Sequence, residues 1–255
     1  MHIDILGVGD AYTIRNSNAA IRVIDERGLQ CLIDCGPTVP KALWQRKLPA
    51  NDIDLIYFTH IHPDHCMGLT SLLNQWDSSG RSKRLCIMAQ RSDISWLKTL
   101  ASHAWWPAAN AGFEIVWLET PSQGSWSNWE IETCLSQHSV PNRSVRISVG
   151  NHSLFYSGDG RPCAQGVELM QRSTLIFQEC GSYDALADNA SHADFPQLAN
   201  VSQARLTASM YLYHYQDADK AKIEQQLANY SNLRLAIEGD LISLDHVAQQ
   251  RNASL

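Results

Sequence analysis

The chain has 255 residues, of which 44% are hydrophobic, and a formal net charge of −6. That length suits one large domain or two small ones with a sizeable core, and we expect a single domain over 1–255. The acidic balance and the lack of a basic stripe argue against long nucleic acids as partners, and no apolar run of about 18 residues is present to span a membrane.

In chain order, "HIDILGVG", "AAIRVID" and "LQCLIDCG" read as short strands closed by glycine or a turn, followed by a helix over "TVPKALWQR". "IDLIYFTH" is a buried-type strand that ends at His60, and "CMGLTSLLNQW" a helix. "RLCIMAQ" is a strand and "SDISWLKTLAS" a helix capped by Ser92 or Asp93. Strands are expected at "FEIVWLE", "WEIETCLSQ", "VRISVG" and "SLFYSGD", then a short helix at "GVELMQR" and a strand at "TLIFQEC". "DFPQLANVSQA" is helical, "RLTASMYLYH" ends in a strand, "DADKAKIEQQLANY" is helical, and "LRLAIEGDLISL" closes the pattern. Strand-rich halves with intervening helices suggest two packed sheets covered by helices. The start "MHIDILGVGD" lacks the features of a signal peptide, so the expected location is cytoplasmic. Seven cysteines (31, 35, 66, 86, 134, 163, 180) form no C-x-x-C pair and sit mostly in apolar runs, as reduced buried thiols do.

The stretch "THIHPDH" concentrates the chemistry. His60 and His62 stand two apart at a strand end, so both side chains point one way. Asp64 and His65 follow where Pro63 turns the chain into a helix. Imidazole and carboxylate together suit Zn, Mn or Fe. One short loop leaves a metal under-coordinated, so further ligands must come from other strand ends. His138 after "CLSQ", Asp159 in "SGDG" and His214 after "MYLY" stand at such ends.

This set, in this order, resembles the metallo-β-lactamase superfamily. The resemblance implies an α/β fold, a four-layer αβ/βα sandwich with a dinuclear site at one edge. Carried over, His60, His62 and His138 would hold one metal and Asp64, His65 and His214 the other, with Asp159 between them. The implied cofactors are two divalent ions, Zn or Mn. Asp34 in "LIDCG" resembles a buried carboxylate that orients a ligand, although a turn aspartate before Gly36 fits the same residues. Within the superfamily the chain is most similar to the ribonuclease Z-like phosphodiesterases, through "GVGDAYTIRNSNAAIRV", "HSVPNRSVRI", "SGDGRPC" and "SHADFPQLA". By that resemblance His192 sits over the metals and assists phosphoryl transfer; otherwise it only starts a helix near Asp194. Two metals sharing a water make hydroxide available near neutral pH, and Asp64 would aim it. His192 would stabilise charge or protonate the leaving group.

One departure stands out. Ribonuclease Z inserts a tRNA-gripping arm where residues 139–158 here are two short strands and a turn. The lengths resemble armless members, such as phosphoribosyl cyclic phosphodiesterase. The expected function is a metal-dependent phosphodiesterase acting on a small, cyclic or open, diester. A carboxylic ester, thioester, lactone or sulfate ester hydrolase would use the same site. A tRNA 3′-processing nuclease and a non-catalytic ligand-binding protein are further alternatives. Trp105 and Trp106 beside His103 would form a stacking wall or a core staple. Asn142 and Arg143 would contact an anion, and Arg161 would do so or pair with a local carboxylate. The expected partner is a small molecule, and the resemblance suggests a homodimer.

Overall fold

Apolar residues alternating along short strands build two sheets in the computed structural model, which describes residues 1–245. The expected domain runs on to 255, and 246–255 lie outside the described residues. The first sheet contains β1 (His2–Gly7), β2 (Ala20–Ile24), β3 (Gln30–Ile33), β4 (Leu55–Tyr57), β5 (Leu85–Ala89) and β6 (Ile115–Glu119). The second contains β7 (Gln123–Trp126), β8 (Trp129–Leu135), β9 (Arg143–Val149), β10 (His152–Tyr156), β11 (Leu175–Glu179), β12 (Ser209–Tyr213) and β13 (Leu233–Leu235). The chain then crosses back, and β14 (Leu241–Ser243) pairs with β1. The two orders are β14-β1-β2-β3-β4-β5-β6 and β13-β12-β11-β10-β9-β8-β7.

The period of two sorts the side chains. On β4, Leu55 and Tyr57 enter the core shared by both sheets, while Ile56 and the following Phe58 face the outer helices. On β5, Cys86 and Met88 point inward and Leu85, Ile87 and Ala89 outward. The outer cluster is closed by α1 (Val39–Gln45), α3 (Leu69–Ser78) and α4 (Arg91–Ser102), through Val39, Leu43, Leu72, Leu73, Trp76 and Leu97. The second sheet is covered by α5 (Ala164–Gln171), α6 (Phe195–Arg205) and α7 (Lys220–Leu227), which contribute Leu169, Phe195, Leu198 and Ile223. Helices on both outer faces of two sheets make the expected four-layer αβ/βα sandwich. No helix among the described residues is long and apolar enough to cross a membrane.

Two local expectations change, and the closing segment takes a definite form. "CMGLTSLLNQW" is not one helix: a single turn, α2 (Pro63–Cys66), precedes α3, with Gly68 between them. A Cβ on Gly68 would collide with the Gly36 carbonyl, so this break is where two loops meet backbone to backbone. "LRLAIEGDLISL" is two strands in different sheets, divided at Gly239. The α4 cap is Gln90 rather than Ser92 or Asp93. Gln90 holds the helix start to the site edge by donating from Nε2 to the Pro141 carbonyl at 2.7 Å.

Candidate metal centre

Strands β3, β4 and β5 are parallel, as are β10, β11 and β12, and their carboxyl ends share one edge of the sandwich. The predicted side chains converge there: His60 and His62 after β4, Asp64 and His65 on α2, His138 after β8, Asp159 after β10 and His214 after β12. They form two groups, His60–His62–His138–Asp159 and Asp64–His65–Asp159–His214, and within each the ligand atoms lie within 4.8 Å of one another. Asp159 faces both groups with different oxygens. Its Oδ2 is 3.9 Å from the Nε2 atoms of His60 and His138. Its Oδ1 is 3.2 Å from His65 Nε2 and 3.4 Å from His214 Nε2. Asp64 Oδ2 completes the second group at 3.4 Å from His65 and 3.3 Å from His214.

The rings are aimed from behind. Asp34 Oδ2 holds His65 Nδ1 at 2.8 Å, Thr59 Oγ1 meets His60 Nδ1 at 3.0 Å, and the Ser191 carbonyl holds His138 Nδ1 at 2.8 Å. Each bond fixes the outer nitrogen and turns the other one inward. Asp34 is itself wholly buried and accepts from the Thr59 amide and hydroxyl at 2.9 and 2.8 Å. Its left-handed backbone, φ 62°, is the kind of strain that packing must hold in place. His214 is also left-handed, φ 56°, and its amide donates to the Val8 carbonyl at 2.7 Å, tying β12 to the end of β1 across the two sheets.

The donor set fits metal ions. His60 Nε2 is buried and hydrogen-bonds to nothing in the protein, and His65 Nε2 and Asp159 Oδ1 face only other members of the cluster, a costly arrangement unless a ligand satisfies them. Burial, with the positive charge of neighbouring rings, lowers the pKa of His60, His62 and His138, which keeps those imidazoles neutral as ligands must be. Burial opposes charge on His214 as well, but the Asp159 charge and the bond to Asp64 prevail and raise it to about 9. Asp64 moves the other way: burial opposes its ionisation, yet bonds from His214 and His65 hold it below the usual carboxylate range.

His192 lies beside this centre. Its ring is edge-on to His138 at 5.0 Å between centroids and stacked on His214 at 5.6 Å. Its partner is a residue that the sequence does not single out. Glu179, wholly buried, accepts from the amides of Gly160 and Ala193 at 2.8 and 2.9 Å and meets His192 Nδ1 at 3.2 Å. Burial works against a charged His192, but the Glu179 bond and charge raise its pKa. A signal was present: Glu179 ends an apolar strand, the position that yields Asp34, His60, Asp159 and His214.

Five other candidates do not line the centre. Asn142 is wholly buried; its amide donates to the Ser157 carbonyl and Ser136 Oγ and accepts from the Asp159 amide at 2.8, 2.9 and 3.0 Å. Arg143 begins β9 and donates to Thr133 Oγ1 at 3.1 Å. Trp105 and Trp106 follow the far end of α4, about 18 Å along a twelve-residue helix that starts at the site edge. There Trp105 packs into the outer core and Trp106 is 81% exposed. Arg161 donates to the Ala187 carbonyl and pairs with Asp194 at 3.0 Å, which settles it as a loop clamp.

Comparison with known proteins agrees with this geometry. A family model described as anti-Pycsar protein Apyc1 matches residues 1–235. The anti-Pycsar protein Apyc1 of Paenibacillus harenae is 44% identical over 247 residues, covering 92% of this chain and 96% of that one. Ribonuclease Z of Thermoplasma acidophilum is 23% identical over 234 residues, covering 72% and 76%. Among solved structures, the metallo-β-lactamase fold protein YhfI of Bacillus subtilis superposes with a TM-score of 0.78 at 18% identity, over 94% of this chain and 98% of that one.

Proposed function

The chain belongs to the family of the anti-Pycsar protein Apyc1, and on that premise we propose that this metal-dependent hydrolase opens small cyclic phosphodiesters of the nucleoside cyclic phosphate class. The observation that carries the reading is Asp159, which turns one carboxylate oxygen to each of two ligand groups and so suits a pair of divalent ions. His60, His62 and His138 would hold one, Asp64, His65 and His214 the other. When bound, such a pair supplies charge that acidifies a water and draws phosphoryl oxygens.

The protein's own residues divide the rest of the work. Asp64 has a second carboxylate oxygen to accept a hydrogen bond from a nucleophilic water and aim it. His192, held by Glu179 through Nδ1, presents Nε2 as its free nitrogen; the Glu179 carboxylate raises its pKa and so favours a proton there for the leaving alkoxide. The region 139–158 supports a small substrate, because it folds into β9, a turn and β10 with nothing left over to grip an RNA. The partner is accordingly a small molecule.

The test is a substrate panel on the metal-reconstituted protein: nucleoside 3′,5′- and 2′,3′-cyclic phosphates, bis-nitrophenyl phosphate, nitrophenyl acetate, a lactone and precursor tRNA. Preference for a cyclic phosphate is expected, with little or no tRNA cleavage. Efficient position-specific cutting of tRNA, or turnover confined to the carboxylic ester or lactone, would defeat the proposal.

A further inference from the structure

Six of the seven cysteines are buried, as the sequence suggests, and Cys163 is the exception. It sits at the N-cap of α5 in extended backbone, and its Sγ accepts from the Gly166 amide at 3.3 Å. Cys134, on β8, lies against it. Both sulfurs are 3.7 Å from the point where a side chain on Gly166 would begin, so the two face the same small space beside that glycine. The two thiols are near enough for each to shift the ionisation of the other. Neither sulfur belongs to the metal ligand groups, and the hydrolytic chemistry uses neither.

We propose that Cys134 and Cys163 are a redox-active dithiol, which a hydroperoxide converts to a disulfide joining β8 to the start of α5. The surroundings assign the roles. The nearby Cys134 thiol favours a thiolate at Cys163, and the amides of the first α5 turn add to this, so the Cys163 thiol is pulled down to about 6 against the cost of burial. The same proximity and burial push Cys134 up, which keeps it protonated until it is needed. Neutral Cys163 gives its own proton to the Leu135 carbonyl at 3.1 Å, a bond that ends when the thiol ionises.

The Cys163 thiolate attacks one oxygen of the hydroperoxide and the O–O bond breaks. Sulfur is oxidised to a sulfenic acid, and the departing oxygen leaves as water or alcohol after taking a proton. Cys134 sulfur then attacks Cys163 sulfur. The S–O bond breaks, the S–S bond forms, and hydroxide leaves with the Cys134 proton as water. Two thiols lose two electrons and two protons, and one hydroperoxide is reduced. The pair stands next to the clamp that holds two metal-site segments together. In that clamp Gln137 and Arg161 exchange backbone bonds at 3.1 and 3.0 Å, and Ser136 Oγ donates to the Asp159 carbonyl at 2.5 Å.

The test needs no activity assay. Reduced, desalted protein is treated with equimolar hydrogen peroxide, then analysed by intact mass and peptide mapping. The expected product has lost two hydrogens, carries a 134–163 cross-link and returns to the starting mass with dithiothreitol. Cys163→Ser, which keeps a capping side chain, should abolish the product. Cys134→Ala should leave Cys163 as a sulfenic acid captured by dimedone. Iodoacetamide should label Cys163 at least about tenfold faster than any other cysteine. A cross-link elsewhere, or Cys163 labelling no faster than the rest with no dimedone adduct in Cys134→Ala, would overturn the proposal.

Discussion

Two side chains at the centre do different work, and substitution separates them. His192 is held by Glu179 through Nδ1 and belongs to neither group of four ligands around Asp159. His192→Ala should therefore retain the metal content of the wild type and slow turnover by roughly 10²–10⁴-fold, the range for a general acid. The loss should shrink with a nitrophenolate leaving group, which is already a stable anion. Measuring kcat on a cyclic phosphate and on bis-nitrophenyl phosphate checks this, and equal losses on both would remove the acid role. Asp34 acts through another residue. Asp34→Asn keeps the shape but exchanges the carboxylate behind His65 for a neutral amide. The expected result is a loss of about 10–100-fold in metal affinity, read by chelator competition. An unchanged affinity would make Asp34 the simple turn residue that the sequence equally allows.

At the scale of elements, the strand ends position the site and Asn142 braces them. Its amide joins the exit of β8 through Ser136 to the exit of β10 through the Ser157 carbonyl and the Asp159 amide. Gly158 is pressed between this strut and Thr59; its φ of 61°, with Thr59 Cβ only 2.7 Å from where a side chain would begin, leaves room for glycine alone. Asn142→Ala should cost about 1–3 kcal/mol by stranding buried partners, seen as a lower urea midpoint, and should weaken metal binding by loosening Asp159. A residue contacting substrate would instead raise KM and leave unfolding unchanged. The ligands were legible because His60, His138, Asp159 and His214 each follow an apolar strand, and His62, Asp64 and His65 crowd within five residues of His60. Asn142 carried the same look of a site residue, and only the fold shows its amide spent on backbone. Glu179 escaped notice because strand propensity and chemistry overlap in "TLIFQEC". Strand β7 escaped because "QGSW" has no apolar alternation; it exists through pairing with β8. The split of "LRLAIEGDLISL" between two sheets is a long-range choice that local pattern does not encode.

Across the whole molecule, the ligands come from both sheets: His60 and His62 follow β4 in the first, while His138, Asp159 and His214 follow strands of the second. Metal bound there crosslinks the two halves of the sandwich along one edge, so ion binding and global stability are linked. Without ions, the buried His60 Nε2 has no hydrogen-bond partner, and His65 Nε2 and Asp159 Oδ1 have only each other and their neighbours in a crowd of carboxylates and rings. A single ion at 100 times its Kd stabilises the folded state by about 2.7 kcal/mol. In a domain of this size each kcal/mol moves Tm by about 2–4 °C. Exhaustive chelation should thus lower Tm by about 5–10 °C per ion held at that saturation, and Zn or Mn should restore it. Asp159→Ala, which removes the one residue that faces both groups, should unfold at the same temperature with or without metal. His192→Ala should keep the full metal-dependent shift. Calorimetry of the three proteins with and without chelator reads all of this. A wild-type Tm indifferent to metal, at ion concentrations where binding is independently saturated, would mean that the ions bind folded and unfolded chains alike, and that the edge is not the staple its topology makes it.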